Sequence, residues 1–155
     1  MLHRIREMLR TKSSKMLSGT IEVDETYIGG KNENKHIDKK VKKSQGRASD
    51  DKTPVFGMLQ RDGVVISKPV NDVTQKTLQD IINKSVKRGS TVISDELGSY
   101  KGLNKKYNHR FLFHGLGEHA IGEVHTNSIE GFWSLLKKCI VGIYHSVSDK
   151  HLEKY

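Results

Sequence analysis

The chain has 155 residues, with 27 Lys and Arg against 18 Asp and Glu, so its formal net charge is +9. That length predicts a single domain with its own core, and the positive charge favours a polyanionic partner, because Lys and Arg neutralise phosphates and release their counterions. A lone cysteine, Cys139, excludes a disulfide framework and a cysteine-rich zinc site, and no apolar stretch reaches the roughly 18 residues of a membrane span, so we predict a soluble, cytoplasmic protein without a membrane partner.

The N-terminal part of the chain combines a helical pattern, a strand pattern and a basic loop. Apolar residues at helical spacing among arginines predict a basic helix within residues 1–18, which is either the remnant of an upstream region or an ordinary N-terminal helix. Ile21, Val23 and Tyr27 then alternate as in a strand. Residues 31–53 lack apolar periodicity and predict a mobile loop, either a solvated linker or an arm that contacts DNA phosphates. The candidate DNA-binding residues of this loop are Lys39, Lys40, Lys42 and Lys43.

The rest of the chain alternates between strand and helix patterns. An Asp-Gly pair between two apolar runs predicts a β-hairpin, and Thr74 is suited to cap the helix that follows. The predicted strands are 55–60, 64–67, 91–94 and 111–113, and the predicted helical segments begin at 74 and span 97–106 (or a tight connection) and 126–141. The element order is therefore β-β-β-α-β-α-β-α, an α/β domain over residues 19–155.

Two acidic residues, Asp24 and Asp95, lie within or at the end of predicted strands. Asp95 directly follows the strand at 91–94, and the C-terminal edge of a sheet is where open α/β folds gather their ligand sites. Asp24 lies within an apolar, β-branched strand, where a carboxylate needs a cation or a hydrogen-bond donor unless it lies on the exposed face of an edge strand. Glu22 would share the face of Asp24, whereas Glu25 would point to the other face and is the weaker rival.

A third acidic residue lies on the last predicted helix. At about 100° per residue, Asn127, Glu130 and Lys137 share one narrow stripe, which either lines the seam between helix and sheet or is a solvated face. An apolar stripe beside it would pack on the sheet, and its members are Ile129, Trp133, Leu136 and Ile140.

Carboxylates from three separate segments indicate a metal-dependent phosphoryl-transfer site. Oxygen ligands suit Mg²⁺ or Mn²⁺, and the sequence has no cluster of Cys and His that would favour zinc. Two such ions can activate an attacking hydroxyl and stabilise the leaving oxygen of a phosphodiester displacement. Lys137 would then hold a DNA phosphate near the ions, or it is an ordinary surface lysine.

Four motifs occur in order along the chain and together resemble a known family. They are residues 23–31 (VDETYIGGK), 94–100 (SDELGSY), 125–137 (HTNSIEGFWSLLK) and 142–145 (GIYH). The resemblance is to bacterial insertion-sequence transposases with an acidic (DDE-type) triad, specifically the ISXO-like transposase domain, and it runs from about residue 19 to the end of the chain.

The resemblance implies a ribonuclease-H-like mixed sheet flanked by helices, and an enzyme that cleaves and transfers DNA strands during transposition. Asp24 would be the first metal ligand and Asp95 the second, with two Mg²⁺ or Mn²⁺ ions. The third ligand would be Asn127 or Glu130, and we favour Glu130 because a carboxylate holds a hard cation more strongly than an amide does. The predicted DNA-binding residues of this region are His125, Lys137 and Lys138.

The resemblance also implies double-stranded DNA partners, namely element ends and target, and a homo-oligomer in a synaptic complex. Two features depart from the family pattern: one cysteine cannot build a zinc ribbon, and the C-terminus ends early, so we expect a truncated chain. Two alternatives remain open at this point. A ribonuclease-H-like nuclease or resolvase would need the same carboxylates, and an inactive DNA-binding remnant of a transposase would keep them without activity.

Overall fold

A computed structural model of the protein describes residues 15–29, 52–61, 63–95, 97–112, 124–144 and 152. The predicted N-terminal helix lies outside the described residues. So do the four lysines proposed for the basic loop, which are Lys39, Lys40, Lys42 and Lys43. No helix in the described part of the chain is both long enough and apolar enough to cross a membrane.

The centre of the fold is a mixed five-stranded sheet with the strand order β3-β2-β1-β4-β5. The strands are β1 (Thr20–Ile28), β2 (Thr53–Gln60), β3 (Val65–Pro69), β4 (Thr91–Ser94) and β5 (Asn108–Phe111). β2 runs antiparallel to both of its neighbours, whereas β1, β4 and β5 run parallel to one another. The helices are α1 (Gln75–Ser85) and α2 (Asn127–Cys139), and α2 continues into a π-helical turn (Ile140–Tyr144). This architecture confirms the predicted α/β class, a mixed sheet flanked by helices.

Local sequence accounts for the hairpin and for the start of α1. The β2–β3 connection is closed by a hydrogen bond from the N–H of Gly63 to the carbonyl of Gln60, as the Asp-Gly pair predicts. Thr74 caps α1, because its Oγ1 accepts a hydrogen bond from the N–H of Thr77 at 3.4 Å.

The two helices pack on opposite faces of the sheet because successive side chains of a strand point to opposite sides. Ile21 and Val23 of β1 belong to the larger core cluster, in which Leu78 and Ile82 of α1 are buried. The smaller cluster lies on the other face and is built around α2; its buried members are Ile28, Val55, Ile129, Trp133, Ile140 and Leu152. The predicted apolar stripe of α2 is therefore confirmed, with Leu136 partly buried beside it.

The structure decides between the two alternatives for residues 97–106 and places the last predicted strand differently. The segment at 97–106 forms two short 3₁₀ turns, Gly98–Tyr100 and Leu103–Lys105, and Gly102 separates them with a φ of 88°. The last strand is Asn108–Phe111 rather than 111–113. Hydrogen-bonded pairing with β4 determines its position, whereas the prediction relied on a run of apolar residues. The apolar-run criterion missed this polar edge strand, in which Phe111 is 49% exposed.

Candidate metal centre and active site

The site forms where β1 and β4 stop pairing. Their parallel register joins residues 20–22 to 91–93 and ends at the pair Glu22 and Ile93. Asp24 therefore lies on β1 beyond the last residue paired with β4, and Asp95 follows the end of β4 at the same edge of the sheet. Asp95 is buried, and its Oδ1 accepts a hydrogen bond from the N–H of Leu97 at 3.0 Å. The predicted convergence of these two carboxylates at one sheet edge is what the structure has.

An open cleft of ≈ 320 Å³ lies at this edge, between the sheet and α2. It is lined by Asp24, Glu25, Thr26, Asp95, Thr126, Glu130, Trp133, Ser134 and Lys137. Three of the predicted carboxylates and the predicted lysine thus share one cleft with the adjoining Glu25. The other predicted residues of α2, Asn127 and Lys138, are exposed and are not among the residues that line it.

Three carboxylates form the tightest acidic group among the described residues. One oxygen each of Asp24, Glu25 and Asp95 lies within 4.8 Å of the others. The expectation that Glu25 points away from Asp24 is therefore wrong for its carboxylate. β1 has no β4 residue paired beside it at this point, so the long Glu25 side chain reaches the same gap from the other face. Tyr100, buried under the sheet, donates a hydrogen bond from its hydroxyl to Glu25 Oε2 at 2.9 Å.

The cleft concentrates negative charge, because four carboxylates line it. Burial, and after it the charges of Glu25, Asp95 and Glu130, together raise the pKa of Asp24 from 3.8 to about 7. Burial, together with the nearby carboxylates, also holds the pKa of Tyr100 well above its usual range, so its hydroxyl remains a hydrogen-bond donor. A divalent cation would relieve this repulsion, and hard carboxylate oxygens are the ligands that Mg²⁺ and Mn²⁺ prefer.

Glu130 enters the cleft from the first turn of α2. Its Oε1 accepts a hydrogen bond from the hydroxyl of Thr126 at 2.7 Å. It does not belong to the tight group of Asp24, Glu25 and Asp95, but its charge acts on Asp24. Because Glu130 lines the cleft and Asn127 does not, the geometry favours Glu130 as the third predicted ligand.

Glu22 has a structural part that the sequence did not reveal. Its carboxylate is fully buried and accepts hydrogen bonds from the backbone N–H groups of Ser128 and Ile129, both at 3.0 Å, at the start of α2. Arg61 donates to the same carboxylate at 2.8 Å and to the carbonyl of His125 at 3.0 Å. The sequence does contain a hint of this contact: Glu22 lies between two apolar residues of a strand, where a carboxylate needs a partner.

His125 lies behind the cleft and does not line it. Its Nδ1 is 3.4 Å from Glu22 Oε1 and makes no hydrogen bond within the described residues. His125 thus lies beside Glu22 and Arg61, and its predicted contact with DNA stays a prediction. Ser94 supports Asp95 from behind the cleft. Its Oγ donates a hydrogen bond to the backbone carbonyl of Asp95 and lies 2.9 Å from His109 Nε2.

Most of the chain matches the sequence model of one protein family. The ISXO2-like transposase domain matches residues 16–155. A relative from Halobacterium salinarum, an uncharacterised protein in the transposable element ISH50, is 25% identical over 148 residues. That alignment covers 90% of this chain and 50% of the relative, so the chain spans half the length of the curated relative it matches.

Two solved structures are similar to this chain at low sequence identity. The crystal structure of the Mos1 Strand Transfer Complex is 17% identical, with a TM-score of 0.38, and the match covers 98% of this chain and 55% of that one. A pre-cleavage Mos1 transpososome is 18% identical, with a TM-score of 0.36, over 88% of this chain and 53% of that one. Since the family match extends over nearly all of the sequence, the chain belongs to the family of ISXO2-like transposase domains.

Proposed function

We propose that this domain is the catalytic domain of a DDE-type DNA transposase, which uses divalent cations to cleave a DNA strand and join the freed end to target DNA. The observation that carries the proposal is the meeting of Asp24, Asp95 and Glu130, from two strands and a helix, in one open cleft. Burial and the neighbouring carboxylates raise the pKa of Asp24, and strongly shifted pKa values of this kind are concentrated at functional sites.

The residues fit a divalent cation by their chemistry. Asp24 and Asp95 would bind it, with Glu130 as the third ligand and Glu25 as an additional carboxylate at the tight group. When bound, Mg²⁺ or Mn²⁺ supplies activation of an attacking hydroxyl and stabilisation of the leaving oxygen. The side chain of Lys137, at the wall of the same cleft, binds a phosphate of the DNA strand. The Thr126 hydroxyl orients the carboxylate of Glu130.

The proposed partners are double-stranded DNA, as element end and as target, and further copies of the chain in a synaptic complex. Support for DNA comes from the formal net charge of +9 and from the family. The cleft is open to solvent along α2, so an extended phosphodiester backbone can enter it. This charge and shape suit a polynucleotide better than a small enclosed substrate.

Nicking of supercoiled plasmid by the purified chain tests the catalytic part of the proposal without knowledge of the element ends. We expect nicked product with Mn²⁺ or Mg²⁺, none with EDTA, and a loss of at least about 100-fold in Asp24→Asn and Asp95→Asn. The matched control is Asp80→Asn, which changes an exposed carboxylate on α1 whose partner is Lys84. Retained DNA binding with no metal-dependent nicking in the unmodified protein would instead indicate an inactive remnant.

Product analysis separates a transposase from a nuclease or resolvase with the same carboxylates. The substrate is an oligonucleotide with a free 3′-hydroxyl from the end of the source element, mixed with plasmid target. A transposase gives covalently joined oligonucleotide and plasmid, and Glu130→Gln abolishes the joining. Cleavage without any joined product would support the nuclease alternative.

A further inference from the structure

Trp133 touches the candidate metal centre through a polar atom. The indole is buried against the sheet as part of the apolar stripe of α2, with 4% of its surface exposed. Its Nε1 nevertheless donates a hydrogen bond to Asp24 Oδ2 at 3.0 Å. An indole nitrogen can only donate, so the carboxylate oxygen is the acceptor of this bond. The bond joins α2 directly to the carboxylate on β1.

Gly57 creates the space through which the indole reaches Asp24. Gly57 lies opposite Asp24 in the register of β1 and β2. A Cβ at this position would lie 2.4 Å from Cζ2 and 2.6 Å from Cη2 of Trp133, closer than any ordinary contact. Glycine inside a strand weakens a sheet and marks a close approach by another group. The glycine thus lets the ring cross β2 against the backbone.

Trp133 therefore packs in the core and also contacts a carboxylate of the candidate metal centre. The hydrogen bond engages Oδ2 of Asp24 and restricts the rotation of the carboxylate. Ile129 of the same helix also packs at Gly57, so two side chains of α2 meet β2 at this position. Groups that hydrogen-bond to metal ligands in this way orient them, and their loss typically costs about 10-fold to 100-fold in metal affinity.

We propose that Trp133 is a positioning residue that holds the Asp24 carboxylate ready for a divalent cation, and that Gly57 is required for this contact. The inference rests on the proposed function, because it needs Asp24 to be a metal ligand. Trp133 is the one tryptophan of the sequence, so its indole N–H gives a single, directly assignable resonance that reports on Asp24.

Two measurements test the inference. The first is calorimetric titration of Mn²⁺ into the full chain, into Trp133→Phe, which keeps an aromatic ring but no donor, and into Asp24→Ala. The control is Phe132→Leu, which removes the neighbouring ring, 5.0 Å from that of Trp133, without touching Asp24. The second is an NMR titration of the unmodified protein with Mg²⁺, following the indole N–H resonance.

We expect Mn²⁺ binding to weaken about 10-fold in Trp133→Phe, to stay within about 2-fold in Phe132→Leu, and to be lost in Asp24→Ala. The indole resonance should shift as Mg²⁺ is added and reach a plateau when the site is saturated. Wild-type affinity in a folded Trp133→Phe variant would overturn the inference and leave the proposed function intact. If that variant does not fold, an indole resonance that is indifferent to Mg²⁺ overturns it. Failure of the unmodified protein to bind either cation would overturn the proposed metal site and this inference with it.

Discussion

Glu22 and Ile129 are 107 positions apart in the sequence, yet the N–H of Ile129 donates a hydrogen bond to Glu22 Oε2 at 3.0 Å. The same oxygen accepts the N–H of Ser128, so a buried carboxylate from β1 serves the first turn of α2 in place of a capping side chain. The contact fixes where α2 begins on the sheet. Because Glu130 lies in the same turn, Glu22 also determines where that carboxylate enters the cleft.

The first prediction concerns this buried contact. Glu22→Ala leaves two backbone N–H groups without their acceptor and the Arg61 guanidinium without its anion. We expect a loss of about 3 kcal/mol or more in the free energy of unfolding, measured by urea denaturation with Trp133 fluorescence. Asp80→Ala, which breaks the exposed pair with Lys84, should cost less than about 0.5 kcal/mol. Equal effects of the two variants would contradict the assignment.

The second prediction compares two glycines. Gly57→Ala forces a methyl group into the indole of Trp133 and should destabilise the fold by about 1–3 kcal/mol. Gly131→Ala lies in α2 with nothing within 4 Å of the added carbon, and should stabilise the fold by about 1 kcal/mol through helix propensity. Urea denaturation of both variants measures the difference. The same sign for both would show that the indole does not lie over Gly57 in solution.

The third prediction is a dependence of stability on pH that comes from Asp24. Its pKa is about 7 in the folded chain against 3.8 for an unperturbed group, so between these values the folded state binds the extra proton. Stability from this group is therefore greatest below pH 4 and falls as the pH rises to 7, by up to about 4 kcal/mol. Asp24→Asn, which stays neutral, should be more stable than the unmodified protein at pH 7.5.

Unfolding of both proteins without divalent cations, from pH 4.5 to 8, measures this effect. The stability difference between them should shrink toward low pH, where Asp24 is protonated. Added Mg²⁺ should stabilise the unmodified protein at pH 7.5 and not Asp24→Asn, because a ligand that binds the folded state raises its stability. A difference that is constant with pH would refute the raised pKa.

The fourth prediction concerns phosphate contact by Lys137. If its ammonium neutralises one DNA phosphate, Lys137→Ala should lower the slope of log affinity against log salt concentration by about 1. Fluorescence anisotropy with a labelled duplex at several salt concentrations gives the slope. Lys76→Ala removes an exposed lysine of α1 that is not among the residues lining the cleft. If the slope falls as much in Lys76→Ala as in Lys137→Ala, Lys137 contributes only through the overall charge of the protein and not through a specific phosphate contact.

The sequence alone determined the hairpin, the cap of α1, the apolar stripe of α2 and the sheet edge to which Asp24 and Asp95 come. Each of these follows from neighbouring residues or from a fixed period: an Asp-Gly turn, a threonine before a helix, and spacings near 3.6 or 2. The polar edge strand at Asn108–Phe111 escaped the same reasoning, because its identity depends on the partner β4.

Only the tertiary structure decided which acidic residues share the cleft and what each one contacts. Period-two alternation predicted the face of β1 on which the Glu25 side chain starts, but not that its carboxylate reaches Asp24 through the gap beyond Glu22 and Ile93. The sequence pattern also did not predict that Glu22 accepts hydrogen bonds at the start of α2, or that the indole nitrogen of Trp133 donates one to Asp24. These contacts join residues more than 100 positions apart, and their energies depend on burial and on distances that exist only once both faces of the sheet are covered.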